Sequence, residues 1–155
     1  MDGFETADIL AVAVARHFAR EHGSSFVAVG FSPAWDVKFQ NGRTYEIKLD
    51  LQATRTHNAC IEFWDSRRNC PSGVLATQAS HWLHCVRENG GIRCYEIEVR
   101  KLLKLCIQCG TVKQGGDFNS SVLKLIPMNI VAAASTRDFL LDSEFIHLVQ
   151  ERKEK

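Results

Sequence analysis

The sequence predicts one domain of mixed α/β class. Three patterns indicate this class: residues 3–22 place apolar side chains at helical spacing, residues 35–48 read as two short strands around a tight turn, and residues 82–99 read as a second hairpin. The chain has 155 residues, of which 45% are hydrophobic and 24% charged, so it can bury one core. With no internal repeat and no linker, residues 1–155 are expected to fold as a unit.

The elements are predicted in order, with short loops between them. Ile9, Val12 and Phe18 recur on one face of the first helix, which spans 3–22 and ends at Gly23. The later predictions are strands at 26–31, around Asp36, at 44–50 and at 59–64, a short helix at 71–81, a hairpin of strands at 82–86 and 94–99, a helix at 100–108, a strand at 122–126 and a last helix at 139–149.

Charge and composition narrow the function classes. The formal net charge of +1 does not fit a protein that coats DNA, because phosphate binding scales with the number of Lys and Arg contacts. No apolar run approaches the roughly 18 residues of a membrane span, and the N-terminus lacks a secretory signal pattern. We therefore expect no membrane association, a cytoplasmic location and reduced cysteines. A locally basic cleft is still compatible with the net charge, and its candidate residues are Arg43, Lys48, Arg55, Arg67, Arg68 and Arg87.

The candidate functional side chains lie on the hairpin at 35–48. Side chains alternate along a strand, so Glu46 and Lys48 share one face, while Tyr45, Ile47 and Leu49 point into an apolar layer on the other.

The turn decides where Asp36 lies relative to Glu46. A three-residue loop 40–42, with Gly42 in the left-handed conformation, pairs Phe39 with Arg43 and puts Asp36 opposite Glu46. A two-residue Asn41-Gly42 turn shifts the register by one residue and puts the two acids on opposite faces. The sequence leaves both turns open.

Two carboxylates that face each other across strands repel, and a divalent cation between them removes that cost. Mg²⁺ usually takes one or two carboxylates together with water and phosphate oxygens. Lys48, beside such a cation, is suited to hold an attacking water or a negatively charged transition state. This combination predicts metal-assisted cleavage of a phosphodiester. The alternative is a solvated hairpin, in which Asp36, Lys38, Glu46 and Lys48 form cross-strand ion pairs.

An acid on one strand followed by Glu46-Ile47-Lys48 on the next resembles the PD-(D/E)XK nuclease superfamily. The resemblance implies a restriction-endonuclease-like αβββαβ core with a central mixed sheet flanked by helices, over about 4–99, and an added C-terminal part over 100–150. It implies Asp36 and Glu46 as ligands of Mg²⁺ or a substituting Mn²⁺, the Ile47 carbonyl as a third ligand and Lys48 as the catalytic lysine. It also implies DNA as substrate. The proline of the family name is replaced by Trp35.

Glu5 is a secondary candidate, because some members of that superfamily carry a metal-facing glutamate on the first helix. Glu5, Ile9, Val12 and Arg16 lie on one helical stripe, so Glu5 could face inward. In the other interpretation, Asp2 and Glu5 are close to a capping box at the start of the helix.

The run from Pro71 to Trp82 resembles small endonuclease domains encoded by phages and mobile elements, as does the glycine-rich loop 113–120. Ser72 and Thr77 could contact a phosphate at the start of a helix, or could cap that helix. Glu62 is expected to be exposed on strand 59–64. His81 and His84 are candidates for a DNA-facing or general-base residue. If the strand begins at Trp82, only His84 lies on it, so the two are not expected to share a metal.

Two other function classes compete with the nuclease. The first is a non-catalytic module that binds nucleic acid or protein on the same fold. The second uses the C-x-x-C pair Cys106 and Cys109 for zinc or thiol chemistry, although zinc would need further ligands nearby. A nuclease that cuts both DNA strands is expected to act as a homodimer.

Overall fold

The computed structural model of the chain describes residues 3–23, 28–32, 34–116 and 119–141, with only the backbone described for 3–8 and 28–32. The elements in chain order are α1 (Gly3–His22), β1 (Ala28–Ser32), β2 (Trp35–Phe39), β3 (Thr44–Asp50), α2 (Ala53–Thr56), β4 (Asn58–Asp65), β5 (Cys70–Pro71), a 3-10 helix (Gly73–Leu75), β6 (His81–Glu88), β7 (Gly91–Glu98), α3 (Val99–Gln108), β8 (Thr111–Gly115), β9 (Ser121–Pro127), α4 (Met128–Ala134) and β10 (Arg137–Leu141).

Within the described residues the strands form two sheets. The larger has six strands in the order β1-β2-β3-β6-β7-β10, and the smaller has four in the order β5-β4-β9-β8. In the larger sheet β3 and β6 run parallel, whereas the other neighbouring pairs are antiparallel. A central mixed sheet flanked by helices confirms the predicted α/β class.

The six-stranded sheet is buried on both faces. On one face, α1 packs Leu10, Val14 and Phe18 against side chains that include Phe39 and Tyr45. The other face packs Trp82 and Ile97 against the four-stranded sheet and against α3 and α4. Since Tyr45 and Ile47 belong to the core under α1, the alternation along β3 turns Glu46 and Lys48 toward the second core.

The connection from β3 to β6 differs from the prediction. A parallel pair needs a long crossover, and the sequence predicts a helix at 71–81 within it. The crossover instead contains α2, two strands of the second sheet and a 3-10 helix of three residues, Gly73–Leu75. Gly73 has φ +51°, and a Cβ at this position would overlap the Glu62 carbonyl oxygen. After Thr77, whose N–H still bonds to Gly73, the chain bonds to Ala34 and to β3 instead of continuing as a helix.

Three further predictions concern the C-terminal part of the chain, and one of them is fully confirmed. The helix expected at 100–108 is confirmed as α3. The helix expected at 139–149 is wrong for 139–141, because these residues pair with β7 as β10, and 142–149 lie outside the described residues. The start of loop 113–120 is strand, since residues 113–115 belong to β8. No helix in the described ranges has the length and apolar character needed to span a membrane.

Candidate active site

The turn between β2 and β3 has the three-residue geometry. The Phe39 N–H donates to the Arg43 carbonyl oxygen at 2.9 Å, the Gly42 N–H donates to the Phe39 carbonyl oxygen at 2.9 Å, and Gly42 has φ +89°. The strand register then pairs Val37 with Tyr45. One further antiparallel step places Asp36 beside Glu46, so the turn brings the two predicted acids to the same side of the sheet.

Asp36 lies where β2 and β3 separate. The strands pair as far as Val37 and Tyr45, while Trp35 pairs with Ser32 on β1. Beyond that point the Asp36 carboxylate replaces a strand carbonyl: its Oδ2 accepts the Ile47 N–H at 2.6 Å. The other oxygen, Oδ1, accepts no hydrogen bond from any described residue. One oxygen of Asp36 is thus fixed by the backbone and the other is available for a cation.

The Ile47 carbonyl faces the same gap. The N–H and C=O groups of one strand residue point to the same neighbouring strand, so the direction of the Ile47 N–H toward Asp36 also gives the direction of its carbonyl. The backbone oxygen that the resemblance implies as a third ligand is therefore on the Asp36 side of β3.

Glu46 is largely shielded from water. Its side chain is 14% exposed, its Oε1 lies 3.2 Å from Lys48 Nζ, and its Oε2 accepts the Thr77 hydroxyl at 3.2 Å. Burial raises the pKa of Glu46; the positive charge of Lys48 opposes this rise, and the nearby Asp36 charge adds to it. The low exposure of Glu46 argues against the alternative of a solvated hairpin. Lys38, the other base of that alternative, lies over the Trp35 ring instead, with Nζ 5.9 Å from the ring centroid.

The donor set of this site fits Mg²⁺ or Mn²⁺. Asp36 and Glu46 carry two negative charges when ionised and Lys48 carries one positive charge, so the site has one net negative charge to offer a cation. Across the described part of the chain, no group of three or more His, Cys, Asp or Glu side chains is placed to hold a metal. A hard cation held here would complete its coordination with backbone, water and phosphate oxygens, which is the usual arrangement for Mg²⁺.

Glu5 lies in the first turns of α1, but its side chain lies outside the described residues. Its predicted role beside the metal therefore stays a prediction.

Thr77 does not have the predicted capping role, and its predicted contact with a phosphate stays a prediction. No helix follows it to be capped; its hydroxyl donates to Glu46 and accepts the Ala79 N–H at 3.1 Å. The cap predicted for Ser72 is wrong as well, because its side chain makes no capping bond to the 3-10 helix, and its hydroxyl is buried without a partner among the described atoms. Thr77 thus fixes one oxygen of Glu46, a role for which the sequence gives no local signal.

Sequence reasoning missed a second polar pair beneath this site. Asp50 Oδ2 lies 2.9 Å from His84 Nε2, and both side chains are almost fully buried. Burial alone would raise the pKa of Asp50, but hydrogen bonds from His84 and from the Cys60 and Ala53 N–H groups lower it. His84 is the register neighbour of Lys48 and is not exposed to DNA. The alternation Glu46, Lys48, Asp50 on one strand face was the available signal.

Other candidates have local partners. Glu62 is half-buried rather than exposed, and it accepts the Ser121 hydroxyl. Within the proposed basic patch, Arg43 lies 3.8 Å from Glu96, Arg55 donates to Gln52, and Arg68 lies 3.7 Å from Asp65.

The cysteines do not form a described metal site. Burial raises the pKa of Cys106 to about 11, which disfavours the thiolate that zinc binding needs. Cys85 and Cys94 are fully buried neighbours in the core under α1, as predicted for residues that fill core.

Comparison of the chain with protein-family models finds no match, and neither does comparison with curated proteins.

Proposed function

We propose that this protein is a Mg²⁺-dependent nuclease of PD-(D/E)XK type that hydrolyses phosphodiester bonds in DNA. One observation carries the proposal: at the point where β2 and β3 separate, Asp36 presents a free carboxylate oxygen beside a partly buried Glu46, which is itself in contact with Lys48. Like charges held together away from water are costly unless a ligand uses them, and they cluster at functional sites.

Each residue has a distinct part in the proposed hydrolysis. Asp36 and Glu46 hold the cation, with Asp36 oriented by the Ile47 N–H and Glu46 by Thr77. Lys48 holds the attacking water or the negative charge that develops on the phosphate oxygens. A bound Mg²⁺ supplies Lewis-acid stabilisation of the phosphate and a more acidic water. Water adds to phosphorus, the bond to the 3′ oxygen breaks and that oxygen takes a proton, which leaves a 5′-phosphate and a 3′-hydroxyl.

The first test is cleavage of plasmid and branched DNA with Mg²⁺ or Mn²⁺. Lys48→Ala is expected to lower the cleavage rate by about 10²–10³, the typical loss for one electrostatic group that acts in the transition state. Asp36→Asn is expected to abolish the metal response while its amide oxygen still accepts the Ile47 N–H, so the fold is kept. Arg20→Ala, which removes an exposed cation of α1 on the opposite side of the sheet, is the control and should cut like wild type.

Two results would reject the proposal. Cutting that survives both site variants would place the activity elsewhere or in a contaminant. DNA binding without cutting on any of these substrates would favour the non-catalytic binding module.

A further inference from the structure

α3 carries an unpaired basic face on the same side of the sheet as the candidate active site. Arg100, Lys101 and Lys104 are exposed, and within the described ranges none of them forms an ion pair. Together with Glu98, Leu105 and Gln108 they line an open cavity of about 530 Å³. Three positive charges and one negative charge leave this lining with two net positive charges, on a chain whose formal net charge is only +1.

A short chain of hydrogen bonds ties the start of α3 to the strand that carries Glu46. Thr44, two residues before Glu46, accepts the Ser80 N–H on its hydroxyl at 2.8 Å, and the Ser80 hydroxyl donates to the Thr44 carbonyl oxygen at 3.0 Å. The Ser80 carbonyl oxygen then accepts the Val99 N–H, the first of α3, at 3.1 Å. The position of α3 is thus fixed relative to β3 through one residue.

Packing places the two features on one face. Glu46 is the register neighbour of Trp82 on β6, and Trp82 packs in the same core as Leu102 of α3. The 3-10 helix Gly73–Leu75 also contacts α3, and the chain leaving it reaches Thr77, which binds Glu46. The candidate active site and α3 therefore lie on the same side of the six-stranded sheet.

We infer that this basic face, defined by Arg100, Lys101 and Lys104, is the surface that holds the phosphate backbone of DNA beside the cleavage site. The inference rests on the proposed function. A polyanion with regular phosphates fits a row of unpaired cations, since each phosphate contact releases counterions and adds affinity without reading sequence. A nearly neutral chain needs such a local surface to bind DNA at all.

The test measures binding alone, by fluorescence anisotropy of a labelled duplex in EDTA, over a series of salt concentrations. The variant Lys101→Gln with Lys104→Gln removes two charges from α3 and keeps good helix formers. Its matched control, Arg16→Gln with Arg20→Gln, removes two exposed charges from α1 on the opposite side of the sheet. We expect the α3 variant to lower the slope of log K against log salt by about 2, and the control to leave it unchanged.

The outcomes separate this inference from the nuclease proposal. Equal slopes for the two double variants, or no binding of the duplex by wild type, would overturn the α3 surface even if Lys48-dependent cleavage is found. A reduced slope for the α3 variant alone would support the surface, even if no metal-dependent cleavage occurs and the proposed chemistry fails.

Discussion

Glu46, which is partly buried, and Glu96, which is buried, lie on the same sheet and differ in how their charges are compensated. Both side chains are largely shielded from water, at 14% and 2% exposure. Burial alone raises the pKa of either carboxyl, and for Glu46 this effect prevails. For Glu96, hydrogen bonds from Tyr45 and Arg137 and the Arg137 charge overcome burial and lower the pKa.

The difference lies in the partners. Glu96 accepts the Tyr45 hydroxyl at 2.5 Å, Arg137 Nε at 3.0 Å and the Thr136 hydroxyl at 2.9 Å, and these partners lie on β3, β10 and the turn before β10. The Glu96 carboxylate therefore links β3, β10 and the turn before β10 within the fold. Glu46 has one lysine and one hydroxyl, and faces another acid. A buried carboxylate whose hydrogen bonds are all made within the protein stabilises the fold. A carboxylate with fewer partners can still gain free energy by binding a ligand.

Breaking the Glu96 cluster should have the largest effect on stability. Glu96→Ala removes the carboxylate that the Tyr45 hydroxyl, Arg137 Nε and the Thr136 hydroxyl share, and we expect a loss of about 3–5 kcal/mol in the free energy of unfolding at pH 7. Urea unfolding measures this, with the exposed Glu98→Ala on the same strand as a control that should change little. A loss below about 1 kcal/mol for Glu96→Ala would mean that the cluster is not stabilising. Because its pKa is lowered, the Glu96 contribution is present above the unfolded pKa and disappears as pH falls through the folded value.

Thr77→Val should act on Glu46, and it also removes the hydroxyl that accepts the Ala79 N–H. The valine keeps the shape but removes the hydroxyl that lowers the pKa of Glu46, so that pKa rises further. The acid limb of metal-dependent cleavage should then move to higher pH, and metal affinity should fall about 10–100-fold, the usual loss for a residue that orients a ligand. Thr111→Val, at an exposed position of β8, is the control. An unchanged pH profile would show that Thr77 does not tune the site.

Glu46→Gln should have the smallest effect on stability, in the direction opposite to Glu96→Ala. Since burial raises the pKa of Glu46, the charged form costs stability above the folded pKa, and this cost disappears below the unfolded pKa. At pH 7 we expect the variant to be more stable by less than about 1 kcal/mol, because the lost Lys48 pair offsets part of the gain. The difference should vanish near pH 4. If the variant were less stable than wild type at pH 7, the charge of Glu46 would stabilise the fold, as that of Glu96 does, and the contrast between the two glutamates would be wrong.

The parts of the site that depend on neighbouring residues in the chain could be predicted from the sequence. Alternation around Asn41-Gly42 predicts the two strands and the shared face of Glu46 and Lys48, and only the turn type was open. The hydrogen bond from the Phe39 N–H to the Arg43 carbonyl oxygen decides it, together with Asn41, whose φ is not positive as a two-residue turn would require.

The two helix predictions that failed, and the polar pair that was not predicted, depend on contacts between residues far apart in the chain. The helix at 71–81 fails because Thr77 and Ser80 bond to β3, more than thirty residues away in the chain. The helix at 139–149 fails at its start because Phe139 pairs with Cys94 across a sheet edge. The pairing of Asp50 with His84 depends on the parallel crossover, whose strand partners the residues alone did not reveal.

The pairing of Phe39 with Arg43 couples the site to the core. Strand side chains have a period of two, so the face on which Asp36 lies depends on which residue of β2 pairs with Arg43. If Gln40 took the place of Phe39 in this pair, Asp36 would move to the α1 side, and Val37 and Phe39 would leave the core under α1. The same apolar side chains that stabilise the fold therefore hold the acid in register with Glu46.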